Sequence, residues 1–473
     1  MQIAAESPFV AVPVRRLWWF YAISAAAFLP ALGFYYVGEE AILTIVALEM
    51  WYRGEWVRQI LFEQQNLQHN PLFLWLLILL CQLVGWEHVL PAARSISIAA
   101  VIGTGLVLGW LARRLSGDAL LGALAALLYL MLADIALYRG WLAYTDPLYG
   151  FFTFAAVSCA WIACRERRLH LLAVAALLIT FAMLTKAFTA YVFYATVLFV
   201  LLFDRDQRTF LLSWPSIALH GAAVALAAAW FGIVLEGEGQ GVRMAKEILH
   251  KLELVTLRDY AIKLVAYPLE TFIKLSPVAF LLAYYAVRCR RELSWRRQPL
   301  AIVLAIALLS FLPYWLAPQS HSRYLVPIYP WFALICAYVI KHAGTAAVAV
   351  TTRWWVALLA FKLAAFLVAF PYYQKVYRGE NYAVAARQIL QRTAGHALYS
   401  MNVSASGLSV AANINMLQLP APPLAAPPAQ WDSGFVIAYT PDEGLGRVAE
   451  KYRLGGNDLY LLCRGAACGS VTR

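Results

Sequence analysis

PLFLWLLILLCQLVGW, residues 71–86, is the stretch whose placement decides the arrangement of every other segment in this chain. It carries no charge, yet it falls short of the ~20 apolar residues that a spanning helix needs. If it spans, the arginines at 113–114, 165–168, 205–208 and 288–297 all face the side opposite Arg15 and Arg16. If it lies along the outer interface, every one of those clusters shares the cytoplasmic side, as short basic loops do. We therefore read 71–86 as a juxtamembrane helix and place the N-terminus in the cytoplasm.

Working outward, apolar runs recur at about 17–37, 92–111, 119–137, 147–163, 169–184, 187–203, 211–235, 270–287, 300–317, 324–340 and 348–370. Hydrophobic residues make up 62% of the 473 and charged ones 14%, against about 25% charged in soluble domains. The expected fold is an all-α polytopic membrane protein of about eleven transmembrane helices over 1–370, with an outer loop at 39–91. An odd number of spans puts the C-terminus outside, so a small α/β periplasmic domain is expected at 371–473. The first run exceeds the apolar core of a cleavable signal peptide and reads as an uncleaved anchor. The net charge of +12 sits in short loops, which marks cytoplasmic loops and excludes a nucleic-acid partner.

Within 371–473 the pattern predicts helices at 381–393 and 404–417 and strands at 397–401, 435–439 and 458–463. A further helix is expected to open at Thr440-Pro441, where a cap residue precedes proline. Loop 236–269 has a helical pattern with lysines and arginines on one face, read as packing against anionic lipid. Of seven cysteines, five lie in apolar or basic surroundings and have no metal-ligand spacing with histidine. Cys463 and Cys468 lie in the polar outer tail, either as a disulfide or as two thiols.

Charge near a bilayer is costly, so polar residues at outer helix ends are the candidates for chemistry. Glu39 and Glu40 follow the first run directly. They suit a general base or divalent-cation ligands, or else a solvated helix start. Asp146, before Pro147, suits an N-cap or an active-site acid, while Asp134 is expected to pair with Arg139. Lys186 either snorkels to headgroups or fixes a phosphate. His321, Arg323 and Tyr324 form a second outer cluster, and His69 stands at the entry to 71–86 as a headgroup contact or a ligand. A metal, if bound, would draw on Glu39, Glu40, Asp146 and His69. No P-loop, GxGxxG turn or Ser-His-Asp arrangement occurs in usable context, so no nucleotide is expected.

The order Glu39-Glu40, Leu48-Glu49-Met50, Gly54-Glu55-Trp56, Asn70-Pro71, Tyr144-Thr145-Asp146-Pro147, Leu184-Thr185-Lys186 and Arg323-Tyr324-Leu325-Val326-Pro327-Ile328-Tyr329-Pro330 resembles bacterial GT-C glycosyltransferases. The nearer group is protein O-mannosyltransferase-like and includes transferases that add 4-amino-4-deoxy-arabinose to lipid A. The resemblance covers roughly 17–340 plus a periplasmic C-terminal module. It implies a multi-pass bacterial inner-membrane enzyme with its active site and C-terminus periplasmic. It implies catalytic acids at Glu39, Glu40 and Asp146, and donor-phosphate contacts at Lys186, His321, Arg323 and Tyr324. Glu39 stands where the family usually has aspartate, and His69-Asn70-Pro71 where relatives often carry Glu-Lys-Pro.

The activity expected is inverting transfer of a sugar from a polyprenyl-phosphate carrier to a periplasmic lipid A, glycan or protein acceptor. The partners are then the lipid-linked donor, that acceptor and membrane lipid, with a divalent cation as the one candidate cofactor. The alternatives are a periplasmic glycan ligase or polymerase, a flippase or transporter of lipid-linked substrate, and a non-catalytic scaffold. A transporter would string polar residues through the bilayer midplane, whereas here they gather at helix ends.

Overall fold

The apolar runs become helices, but of unequal length. A computed structural model describes residues 12–65, 70–234, 246, 249–250, 253, 256–290, 299–378, 380–454 and 457–470. Its first elements are α1 (Val14–Ala26), α2 (Glu40–Arg53), strands β1 (Ile60–Leu61) and β2 (Gln64–Gln65), α3 (Leu72–Val84), α4 (Val89–Ser116) and α5 (Ala119–Leu130). Then come α6 (Thr145–Glu166), α7 (Leu169–Thr185), α8 (Thr189–Leu201), α9 (Arg205–Leu211) and α10 (Trp214–Val234). The next group is α11 (Leu257–Lys274), α12 (Val278–Arg288), α13 (Leu300–Leu316), α14 (Tyr329–His342) and α15 (Thr345–Ala364). The chain ends with α16 (Glu380–Arg392), β3 (Leu398–Ser400), α17 (Ala405–Leu417), β4 (Gly434–Ala438), β5 (Arg447–Leu454) and β6 (Asn457–Arg464).

Among the described residues, five helices are long and apolar enough to cross a membrane, or six if the bent pair α11–α12 makes one span. The expected count of eleven is thus not carried by helix length. The expected first span, 17–37, is a 13-residue helix followed by a 3₁₀ turn at Leu29–Gly33, where Pro30 cannot continue the ladder. The expected third, 119–137, is a 12-residue helix and a π-turn at Asp134–Arg139. Twelve residues reach about 18 Å, against ~30 Å of hydrocarbon. The expected span 270–287 breaks instead into α11 and α12, bent by 100°. At 13 residues, α3 reaches about 20 Å, too short to cross unaided; it buries Phe73, Leu74, Leu77, Ile78 and Cys81 and leaves Leu79, Leu83 and Val84 exposed.

Contacts divide the chain into two compact units. The first is Met1–Leu29, Ser97–Trp141 and Thr145–Lys362; the second is Pro30–Ile96, Leu142–Tyr144 and Leu363–Arg473. In the first unit α5 starts at Asp118, whose carboxylate accepts from Leu120 N (2.7 Å) and Leu121 N (3.2 Å). That cap satisfies donors the helix itself leaves open. α5 is then buried on almost every side, from Leu121 to Leu130, as a helix apolar all round must be.

The second unit is built on a four-stranded sheet of order β3-β4-β6-β5, with β3 parallel to β4 and the other pairs antiparallel. Phe435 and Ile437 of β4 and Leu459 and Leu461 of β6 share a core with Ala386 and Ile389 of α16 and Leu408 and Ile414 of α17. Ala41 and Ile45 of α2 and Phe62 of the hairpin belong to that same core. The compact unit holding Leu363–Arg473 therefore also holds the segment that carries Glu39 and Glu40. The helix expected at Thr440-Pro441 does not form. Asp442 closes a turn there by accepting from Gly444 N at 2.8 Å, and the chain enters β5, whose ladder to β6 outweighs the local cap signal. Cys463 and Cys468 form a disulfide, which closes the end of β6 onto the following turn.

Glu49, on α2, is buried and accepts from Phe62 N at 2.8 Å and Glu63 N at 3.5 Å. These are the hairpin's two left-handed residues, with φ of +52° and +64°. Burial pushes the Glu49 carboxyl up to about 7, against those N–H groups and Arg53, which pull it down. The folded chain therefore keeps a proton that the unfolded chain releases, and the stability from this group is lost as pH rises from ~4.5 through ~7. Glu49→Gln should remove that loss, of order 3 kcal/mol, and melt above the parent at pH 8 but beside it at pH 4.5. Parallel melting curves at both pH values would show that Glu49 does not titrate in this range.

Candidate active site

In the first unit the candidate site is built from helix ends. α6 begins at Thr145, so Asp146 lies in the first turn rather than at the N-cap, as expected from sequence. Its carboxylate is turned to two cations. Lys186, just past the end of α7, donates to Asp146 Oδ1, and Arg139 Nη1 lies 3.7 Å from Oδ2. Arg139 Nε also donates to Asp134 Oδ2 at 3.0 Å, the pair expected from sequence, and Tyr329 Oη donates to the same oxygen at 2.8 Å. Two carboxylates and two cations thus balance in one chain of contacts. Each buried charge there has a partner, which is the condition for keeping it.

The Lys186 ammonium also lies 5.4 Å from the centre of the Tyr324 ring. The Arg323 guanidinium lies 5.2 Å from that ring's centre, and Nη2 donates to Tyr324 Oη at 3.3 Å. The His321 ring stands 6.4 Å from it. Tyr324 is set by the 3₁₀ turn Ser322–Ile328 and stacks on Tyr314, which stacks on Phe193 of α8. Asp146, Lys186, His321, Arg323 and Tyr324 are therefore one cluster. Arg323 is exposed, Lys186 and Tyr324 are half-buried, and two cations beside a phenol suit an anionic oxygen ligand.

In the second unit Glu39 and Glu40 have opposite surroundings. Glu39 is exposed and its side chain makes no capping bond. Glu40 is fully buried against Arg94, itself fully buried. Arg94 Nε donates to Glu40 Oε1 at 2.9 Å and Nη2 to Oε2 at 2.5 Å. The remaining guanidinium hydrogens go to the carbonyls of Ala31 (2.8 Å), Phe34 (2.6 Å) and Tyr35 (2.9 Å). Glu40 in turn accepts from Val37 N (2.9 Å) and Ala143 N (2.7 Å). The turn 31–40 that presents Glu39 is thus held from inside by one ion pair. Gly38 is required in it, since its φ is +59° and a Cβ there would sit 2.6 Å from Tyr144 Oη. Glu39 N donates to that same hydroxyl at 3.4 Å.

Two of the four candidate metal ligands are committed to other partners. The Glu40 carboxylate is taken by Arg94 and two backbone N–H groups, and Asp146 by Lys186 and Arg139. His69 lies outside the described residues, and among those described no group of three His, Cys, Asp or Glu could hold an ion. Arg94, Arg139 as the partner of Asp146, and Tyr329 were not singled out from sequence. A lone arginine just inside the apolar run 92–111 was the available sign for the first.

The fold is that of the GT-C membrane glycosyltransferases, as the resemblance read from the sequence implied. Residues 68–231 match the family described as dolichyl-phosphate-mannose-protein mannosyltransferase. ArnT from Cupriavidus metallidurans bound to undecaprenyl phosphate superposes with a TM-score of 0.69 at 13% identity, covering 97% of this chain and 99% of that one. The oligosaccharyltransferase AglB from Archaeoglobus fulgidus, in complex with an inhibitory peptide and a dolichol-phosphate, gives 0.53 at 12% identity, covering 89% and 69%. An oligosaccharyltransferase of Archaeoglobus fulgidus complexed with Zn and sulfate gives 0.50 at 12%, covering 89% and 67%. No curated protein sequence matches the chain.

Proposed function

We propose that this chain is an inverting glycosyltransferase of the bacterial inner membrane that moves a sugar from a polyprenyl-phosphate carrier to a periplasmic lipid A, glycan or protein acceptor. The observation that carries this reading is the pair of cations, Lys186 and Arg323, whose charged groups lie 5.4 Å and 5.2 Å from the centre of the Tyr324 ring. Undecaprenyl phosphate in the ArnT structure and dolichol-phosphate in AglB support a lipid phosphate as the ligand. In the reaction the acceptor hydroxyl oxygen bonds to the anomeric carbon while the bond from that carbon to the carrier phosphate oxygen breaks. Glu39, the exposed carboxylate, takes the acceptor proton. Lys186, Arg323 and Tyr324 stabilise the charge that develops on the departing phosphate, and His321 lines the same loop. Asp146 holds Lys186, and Glu40 holds the turn that presents Glu39.

Glu39→Gln should lower transfer by about 10²–10⁴-fold, and Asp146→Asn should also abolish it, both at normal expression. The test compares envelope glycolipids and glycoproteins by mass spectrometry in a deletion strain complemented with parent or variant. Full product from both variants would sink the assignment. The Cys463–Cys468 disulfide supports an oxidising, periplasmic location for the C-terminal part. A reporter fused after residue 370 should be active only if it reads out the periplasm; cytoplasmic activity would overturn the orientation.

A further inference from the structure

Loop 236–269 was expected to pack its basic face on anionic lipid; residues 236–245, 247–248, 251–252 and 254–255 of it lie outside the described residues, and its last part forms the start of α11. Six residues of α11 recur on one face, and each bonds to the segment 314–322 of the first unit. Tyr260 Oη donates to the carbonyl of Leu316 at 2.9 Å. Lys263 Nζ donates to the carbonyls of Tyr314 (3.0 Å), Trp315 and Ala317 (2.6 Å), the open end of α13. Trp315 Nε1 returns a bond to Leu264 O at 2.8 Å. Tyr267 Oη donates to His321 O at 3.4 Å. One and two turns on, Ser322 Oγ donates to Glu270 Oε1 at 2.6 Å and accepts from Lys274, which pairs with Glu270 at 2.7 Å. The spacing 260, 263, 264, 267, 270, 274 is one stripe of a helix. The other side of α11 leaves Ile262, Val265, Leu269 and Ile273 exposed.

The loop so gripped ends in His321, Ser322, Arg323 and Tyr324. Ser322 is 2% exposed, and its hydroxyl is the point where the stripe fastens beside Arg323. We propose that α11 is a splint for the anion-binding loop, with Glu270 and Lys274 as positioning residues that fix Arg323 and Tyr324 through Ser322. This rests on the reading of Lys186, Arg323 and Tyr324 as the donor-phosphate site. The two positions need opposite charges and a hydroxyl between them, not a particular order, because serine both donates and accepts.

The experiment uses the full-length purified protein and undecaprenyl phosphate as the probe, with binding followed by titration and folding by the thermal midpoint. Glu270→Lys and Lys274→Glu should each weaken binding by at least about tenfold, the scale of one charge-assisted hydrogen bond. The double swap should restore binding to within a few-fold of the parent. Ser322→Ala, which leaves the ion pair in place, should weaken binding at an unchanged midpoint and so covers the case where a charge variant fails to fold. Parental binding by Ser322→Ala, or a double swap no better than its single variants, would overturn the splint. Lys186→Met serves as the separate control. If it binds as the parent does, the phosphate site itself is wrong. If it loses binding while Ser322→Ala and the charge variants bind normally, only the splint is.

Discussion

Replacing Arg94 by methionine should destabilise the second unit by about 3–5 kcal/mol, the cost of leaving a buried charge without its partner. Glu40 would then stand in a fully buried site with two backbone N–H donors, and the carbonyls of Ala31, Phe34 and Tyr35 would lose the guanidinium. Glu40→Gln should cost less, since the amide oxygen still accepts while its NH₂ faces the guanidinium. The double variant Arg94→Leu with Glu40→Leu should recover part of the loss, because no charge remains buried, and the two effects should be non-additive. It should not recover transfer, since the guanidinium that ties the carbonyls of Ala31, Phe34 and Tyr35 together before Glu39 would be gone. Thermal midpoints of the purified variants decide the matter. An unchanged midpoint in Arg94→Met removes the ion pair as the support of this turn.

Lys186→Met should lower transfer by about 10²–10³-fold, the usual loss when one preorganised donor to a developing oxyanion is removed. Two effects combine. The phosphate loses its half-buried cation, and Asp146 loses the ammonium on Oδ1, leaving Arg139 at 3.7 Å as its counter-charge. Lys186→Arg should be intermediate, since the charge remains while the fork no longer fits between Asp146 and the Tyr324 ring. The measurement is product formed from lipid-linked donor at saturating acceptor, separated into kcat and KM. A Lys186→Met enzyme with parental kcat and KM would exclude this cluster as the donor site.

Much of this was legible before any coordinates. The Asp134–Arg139 pair, the α/β character of the last hundred residues and the clustering of Lys186 with Asp146 and Arg323 follow from where charge is affordable beside apolar runs. The resemblance in motif order pointed to the same fold that ArnT and AglB display. What escaped was length and partner choice. Whether an apolar run forms one long helix or a half-length one depends on breaks such as Pro30 and the 100° bend after Lys274, and apolar composition is blind to those. Thr440-Pro441 carried a good cap signal, yet a ladder with β6 prevailed, as tertiary pairing commonly overrides local propensity.

The sequence by itself determined that the uncharged run 71–86 has sixteen residues, short of the ~20 that a spanning helix needs. It also determined that the two glutamates after the first run are adjacent. Only the tertiary structure decided that they differ in kind. An arginine more than fifty positions on turns its guanidinium to Glu40 and leaves Glu39 exposed. Burial and hydrogen-bond partners are properties of packing in three dimensions, and no spacing along the chain encodes which of two like carboxylates meets the cation.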